Sequence, residues 1–356
     1  MKRLLASTLV LLLILALVAC GGTAKDNETN LPETTNTPVG TGDTQTPDTE
    51  KTDDPTQSDL EINVTVIAGT TGMGFAKIMD DNAKGTSAFK YNFDIVSDAS
   101  LASGAIISGT ADMAAVPTNL AAVLYNKTNG GVQVVAVNTL GVLYLLTTNE
   151  VTAPDDIVGK TIYCCNQGAN PEFISKYLLE ANGLTVGENV FLDFTYNTPD
   201  ELATAIATNM VEYAILPEPK VTAVMSQNEN VKIFIALEDV WTQVSGGKSL
   251  VQGCLVARKE FIEEHKTELD AFLADYAASI AFVNENPKEA SEIIAANGII
   301  PKAPLAEKAI PRCNIAYVDG ADMQSAMDEF FKVLFAANPA SVGNKLPDAG
   351  FYYIAQ

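Results

Sequence analysis

From Leu60 onward the chain alternates short β-branched runs with longer stretches of helical periodicity, and this alternation restricts it to an α/β sheet fold. "EINVTVIAG" reads as a strand, "TTGMGFAKIMDDNAKG" as a glycine loop and helix, and "FKYNFDIVSD" as a second strand. A helix at "ASLASGAIISG" leads to the strand "ADMAAV" and the helix "PTNLAAVLYNK". Two apolar runs, "VQVVAVNTL" and "VLYLLTTN", follow as buried strands and complete a first lobe. The cycle then restarts at "APDDIVGKTIYCCNQG" and runs through a helix at "NPEFISKYLLEANGL", a strand at "NVFLDFTY", a helix at "TPDELATAIATN", and the strands "VEYAIL" and "VKIFIAL".

Two of these strands end alike. "TADMAAVPTN" (110–119) and "MVEYAILPEP" (210–219) each place an acid, Asp112 or Glu212, before an apolar run that stops at Pro117 or Pro217. In an open α/β sheet, ligands meet the carboxyl ends of the strands. Proline suits the first position of a following helix, where no amide hydrogen is needed. Two such edges facing one another make a cleft.

The length of the ordered region exceeds what one hydrophobic core usually supports, which favours two lobes. The expected division is 60–151 and 248–356 for lobe 1 and 152–247 for lobe 2. The apolar run "LVQGCLVA" returns to lobe 1 as a central strand, covered by helices near 259–285, 287–297, 304–311 and 320–337.

The amino terminus concerns location. Lys2 and Arg3 precede an apolar stretch from Leu4 to Leu15 that "LVAC" closes, the pattern of a cleaved secretory signal over 1–19. "LVAC" resembles the lipobox of bacterial lipoproteins, which implies lipid attachment at Cys20 and an extracytoplasmic protein anchored to the cell membrane. Residues 20–59 are rich in Thr, Pro and Asp, and too poor in apolar side chains to offset the entropy of ordering. They form a tether. The net charge of −22 argues against nucleic acid, whose phosphates need a basic footprint, and against docking on anionic lipid.

Cys164 and Cys165, adjacent on a strand, point to opposite faces and do not readily share a bond or a metal. Cys254 and Cys313 pair as a disulfide if the last two segments pack together; two inert buried thiols are the alternative.

"GTTGMGFAKIM", "ISGTADMAAVPTNLAAVLYNK", "DDIVGKTIYCCNQGANPEFISKYLLEANGL", "VEYAILPEP" and "LVQGCLVARKEFIEEH", in this order, resemble the extracytoplasmic substrate-binding proteins of ABC importers. The branch is the one with binders of thiamine-precursor pyrimidines, aliphatic sulfonates, nitrate and taurine. The resemblance implies a type II periplasmic-binding fold: two α/β lobes, a two-segment hinge and closure over a small ligand. It also implies permease and ATPase partners, a monomer, and no cofactor or metal. The family includes fungal pyrimidine synthases that use a histidine and a cysteine cluster. Here the single histidine, His265, lies among charged neighbours and "YCC" falls short of such a cluster, so an enzyme is not expected. A ligand-sensing ectodomain is the alternative from another class.

The expected ligand residues sit at strand ends. Thr70, Thr71 and Gly72 open a helix in lobe 1, where amides and hydroxyls hold a polar atom or anion. Thr118 and Asn119 follow Pro117 with the same chemistry. Across the cleft, Asn166, Gln167, Gly168 and Asn170 precede a helix, and Glu218 follows Pro217 as an acceptor for a ligand amine or ring N–H. Tyr196 and the single tryptophan, Trp241, offer aromatic faces. After the leader only Arg258 and Arg312 remain, neither at a predicted strand end, which disfavours carboxylate ligands held by an arginine fork. A nitrogen heterocycle such as a pyrimidine or thiamine-related compound is the preferred ligand. A sulfonate, taurine or nitrate held by Thr70, Thr71 and amides is the alternative.

Overall fold

A computed structural model describes residues 60–150 and 153–355. Cys20, the leader and the tether lie outside the described residues. Among the described residues eleven strands are formed: β1 Glu61–Ile67, β2 Lys90–Val96, β3 Met113–Pro117, β4 Val132–Thr139, β5 Leu143–Thr147, β6 Thr161–Cys164, β7 Phe191–Asp193, β8 Tyr213–Pro217, β9 Lys232–Ala236, β10 Gly253–Arg258 and β11 Ile315–Val318. The helices are α1 Thr70–Met73, α2 Ala76–Lys84, α3 Ala99–Ser108, α4 Thr118–Lys127, α5 Asn170–Ala181, α6 Pro199–Ala207, α7 Lys220–Gln227, α8 Leu237–Val244, α9 Lys259–Glu264, α10 Lys266–Glu285, α11 Pro287–Ala296, α12 Ala303–Ala309 and α13 Gly320–Ala337.

The strands make two sheets, in the orders β11-β4-β10-β3-β1-β2 and β7-β6-β8-β5-β9. In the first, β1 runs parallel to β2 and β3, while β10 enters antiparallel between β3 and β4. In the second, β6 is parallel to β7 and β8, and β5 is antiparallel to β8 and β9. Each sheet thus receives one antiparallel strand from a segment that crosses between lobes.

β5 corrects the sequence reading, which kept "VLYLLTTN" in the first lobe. All five residues of this strand are buried, so it is apolar on both faces and its pattern suits either sheet. Partner choice decides: Leu143 lies opposite Pro217 in β8, and the chain crosses immediately after Thr139. β10 does return as a central strand of the first sheet. β7 stops at Asp193, short of Tyr196, because the Asp193 side chain accepts the Thr195 amide (2.7 Å) in a local turn that leaves the ladder.

One face of the first sheet packs under α2, α10 and α11, and one face of the second under α6 and α7. Their other faces share a continuous core that includes α4, α5, α8 and α13. α13 was expected over the first lobe alone; it packs on both α4 and α5. No described helix is long and apolar enough to cross a membrane.

Candidate functional site at the lobe boundary

The two proline-ended strands occupy equivalent positions. Pro117 lies opposite Gly253 of the incoming strand β10, and Pro217 lies opposite Leu143 of the incoming strand β5. The next amide in each case donates to the crossing segment, Thr118 N to Gln252 O (3.1 Å) and Glu218 N to Val142 O (2.9 Å). Thr118 and Glu218 are therefore counterparts, each held beside a crossover. The helix geometry differs from expectation: Pro117 is the N-cap of α4, not its first residue, and α7 starts only after Pro219.

The crossovers themselves are clasped together. Glu238, at the start of α8, accepts the amide of Gly141 and the amide of Leu250, both at 3.0 Å and one from each crossing segment. Gln252 accepts the Val142 amide through Oε1 (2.6 Å) and donates its own amide to Thr139 O (2.9 Å). Burial pushes the Glu238 carboxyl above the usual range, against the two amides that favour its ionised form.

In the first lobe, Gly72 is buried, and a Cβ there would lie 2.8 Å from Val66 Cγ1; its role is close packing against β1. Thr70 and Thr71 are half-buried, and the Thr71 carbonyl accepts from Asn138 Nδ2 (3.2 Å). Thr118 is fully buried; its Oγ1 has no oxygen or nitrogen partner and abuts the Cys254 thiol. Asn119 reaches across the boundary: its Oδ1 accepts from Asn170 Nδ2 (3.0 Å), and its Nδ2 donates to Ser341 O (3.3 Å). Asn170 Oδ1 is buried without a partner. Thr118, Asn119 and Asn170 thus form a neutral polar group bridging the lobes.

The loop before α5 is more self-contained than expected. Asn166 N donates to Asn197 O and Gln167 N to Asn197 Oδ1, both at 2.8 Å, while Gly168 N donates to Glu172 Oε2 (2.7 Å). Gln167 and Gly168 are exposed. Asn197, which the sequence pattern did not single out, occupies the amides assigned to ligand. Burial raises the Glu172 pKa, but the Lys176 ammonium and the Gly168 amide outweigh it and hold the carboxyl below its usual value.

The aromatic expectations are corrected. Trp241 has no exposed surface and packs between Tyr177 and Phe330, with ring centroids at 5.5 and 5.9 Å. It is a core residue joining α8, α5 and α13. Tyr196 packs against Tyr163 at 5.9 Å on the opposite face of the second sheet.

Glu218 is also corrected. Its side chain is fully enclosed, and its oxygens are already engaged: Oε1 by Thr222 Oγ1 (2.8 Å) and Arg312 Nε (2.6 Å), Oε2 by the Thr222 amide (3.0 Å). Three internal donors on an enclosed carboxylate leave little acceptor capacity for a ligand amine. Arg312 was discounted because it is remote in sequence from the strand ends. It sits in the short 3-10 turn Ile310–Arg312 before β11, and the crossing of β5 brings Tyr144 to its carbonyl (2.7 Å).

The Cys254–Cys313 disulfide is not formed; all four described cysteines are free and buried. Cys254 lies in the core on one face of the first sheet and Cys313 in the core on the other, so β10 separates them. Cys164 and Cys165 do fall on opposite faces. His265 joins α9 to α10, half-buried against Phe261 at 5.2 Å. An apolar cavity of about 430 Å³ lies within the second lobe between α5, α8 and the sheet. Its walls include Leu145, Ile162, Ile215 and Phe234, with Ser175, Asn182, Asp239 and Gln243 as polar lining.

Two α/β lobes, two clasped crossovers and a neutral polar group where the strand ends meet define a two-lobed binding protein of the periplasmic type. The family model described as "NMT1/THI5 like" matches residues 92–290, more than half of the chain, and the chain belongs to that family. No curated protein matches the sequence. Among solved structures, an ABC transporter from Parabacteroides distasonis is 25% identical, with a TM-score of 0.71 over 84% of this chain and 100% of that one. The periplasmic aliphatic sulphonate binding protein SsuA from Escherichia coli is 16% identical, with a TM-score of 0.65 over 84% of this chain and 94% of that one. The periplasmic nitrate-binding protein NrtA from Synechocystis PCC 6803 is 12% identical, with a TM-score of 0.55 over 80% of this chain and 85% of that one.

Proposed function

We propose that the protein is the solute-binding component of an ABC importer, capturing a small nitrogen heterocycle between its lobes and delivering it to permease and ATPase subunits. The observation that carries this reading is the Asn119–Asn170 contact across the boundary, beside the unpaired oxygens of Thr118 and Asn170. Buried polar atoms are rarely left without partners, and two such oxygens beside a polar contact between the lobes are explained by a ligand or water that meets them. A hydroxyl and a carboxamide oxygen match the ring nitrogens and exocyclic amine of a pyrimidine or thiamine-related compound. Function is binding and release, with lipid at Cys20 and the tether holding the domain near the membrane.

Thermal unfolding against a panel of pyrimidines and thiamine-related compounds tests this. A true ligand at a hundred times its dissociation constant stabilises the fold by about 2.7 kcal/mol. Thr118→Val should weaken binding about tenfold or more with little change in the unliganded midpoint, because its hydroxyl has no oxygen or nitrogen partner; Asn170→Ala should weaken binding similarly but also lower the midpoint, because it removes the bond from Asn170 Nδ2 to Asn119 Oδ1. Unchanged affinity in both variants would move the ligand elsewhere.

A further inference from the structure

A space remains inside the second lobe, away from the polar group at the lobe boundary: none of Thr118, Asn119 and Asn170 lines it. Protein interiors are close-packed, with few voids larger than a water molecule. Here about 430 Å³ is left between α5, α8 and one face of the second sheet, within the roughly 300–1,000 Å³ of small-molecule sites. Its floor is made by buried Leu145 and Ile215, from β5 and β8, and its sides by half-buried Phe234 and Val240, from β9 and α8. Such a surface gives water no partners, so the space favours an apolar occupant. Of the polar lining, Ser175 Oγ donates to Pro171 O (2.6 Å) and Asn182 Nδ2 to Leu178 O (2.8 Å), so the donors on α5 are spent on their own helix.

The mouth of this space carries negative charge. Asp239 and Gln243, one turn apart on α8, and Asn182, the C-cap of α5, line it and are exposed. Among the described residues no cation pairs with Asp239. α5 has no basic residue in its last turn, so the partial negative charge of its carboxyl end is uncompensated at the same mouth. We propose that this cavity is a second binding site for a small apolar amine, whose body lies against Leu145, Ile215, Phe234 and Val240 and whose ammonium meets Asp239. The carboxylate and the helix end together repel an anion. A space bounded by two helices and a sheet takes one small body, not the surface of a folded partner.

Saturation-transfer NMR titrations with phenethylamine, phenethyl alcohol and phenylpropionate at neutral pH test this, with circular dichroism to confirm that each variant folds. Wild type should bind the amine most tightly and the carboxylate at least about tenfold more weakly, close to 1.4 kcal/mol. Asp239→Asn, at an exposed position, should weaken the amine about threefold, the scale of an exposed ion pair, and leave the alcohol unchanged. Val240→Phe puts a ring into the space from a half-buried wall position and should remove binding of all three probes. Failure of wild type to bind phenethylamine overturns the proposal. It is equally overturned if a folded Val240→Phe protein binds the amine as tightly as wild type, which would put the amine elsewhere, or if Asp239→Asn keeps the full preference for amine over alcohol. None of these outcomes bears on the solute-binder reading, whose ligand meets Thr118 and Asn170.

Discussion

Glu172 shows how a single side chain can fix a loop and take up an amide that the sequence left open to ligand. Its carboxylate accepts the Gly168 amide (2.7 Å) and pairs with Lys176, and these partners depress its pKa below the ordinary value of 4.5. A depressed carboxyl contributes stability that is present above its unfolded pKa and is lost as pH falls through the folded one. Wild type should therefore melt above Glu172→Gln at pH 7, and the gap should close on acidification below about 4.5. Melting curves of both proteins across that range check it; a gap that persists unchanged at pH 3 would assign the effect to packing. Glu218 illustrates the same displacement more sharply. A carboxylate in a first helical turn reads as an available acceptor in sequence, whereas in the fold three donors have already taken it.

The elements that connect the lobes depend on how closely they approach. Gly141 lies in the first crossover against the start of α8, and a Cβ there would come within 2.8 Å of Glu238 Cβ and 3.2 Å of Glu238 Cα. Gly141→Ala must push α8 away or break the hydrogen bond that the residue-141 amide donates to Glu238. Such overpacking costs about 1–3 kcal/mol. Chemical denaturation should show that loss, and a variant as stable as wild type would mean that α8 is free to shift. The strands were legible from β-branched runs, and the paired proline stops correctly marked two equivalent strand ends. The helix α8 was missed: "LEDVWTQ" has one tryptophan and no cap signal, and α8 forms with no side-chain cap hydrogen bond. Its place is fixed instead by Trp241 packing against Tyr177 and Phe330 and by Glu238 holding both crossovers.

Taken whole, the molecule is held by a core that runs from one lobe into the other and by polar ties across their boundary, with no disulfide among the described residues. Reductant should therefore leave the melting midpoint unchanged. A drop of several degrees in dithiothreitol would reveal a bridge, since losing one typically costs about 2–5 kcal/mol. The alternation of strands and helices, the return of a late strand to the centre of the first sheet, and the separation of Cys164 from Cys165 follow from local pattern, because hydrophobic period and strand alternation act over a few residues. Which sheet takes β5, whether Cys254 meets Cys313, and which charge meets Glu218 do not. Those depend on contacts such as Leu143 with Pro217 and Arg312 with Glu218, the latter separated by 94 residues. A residue's type and neighbours limit what it can bond to; only the folded chain decides which of the possible partners arrives first and leaves nothing for a ligand.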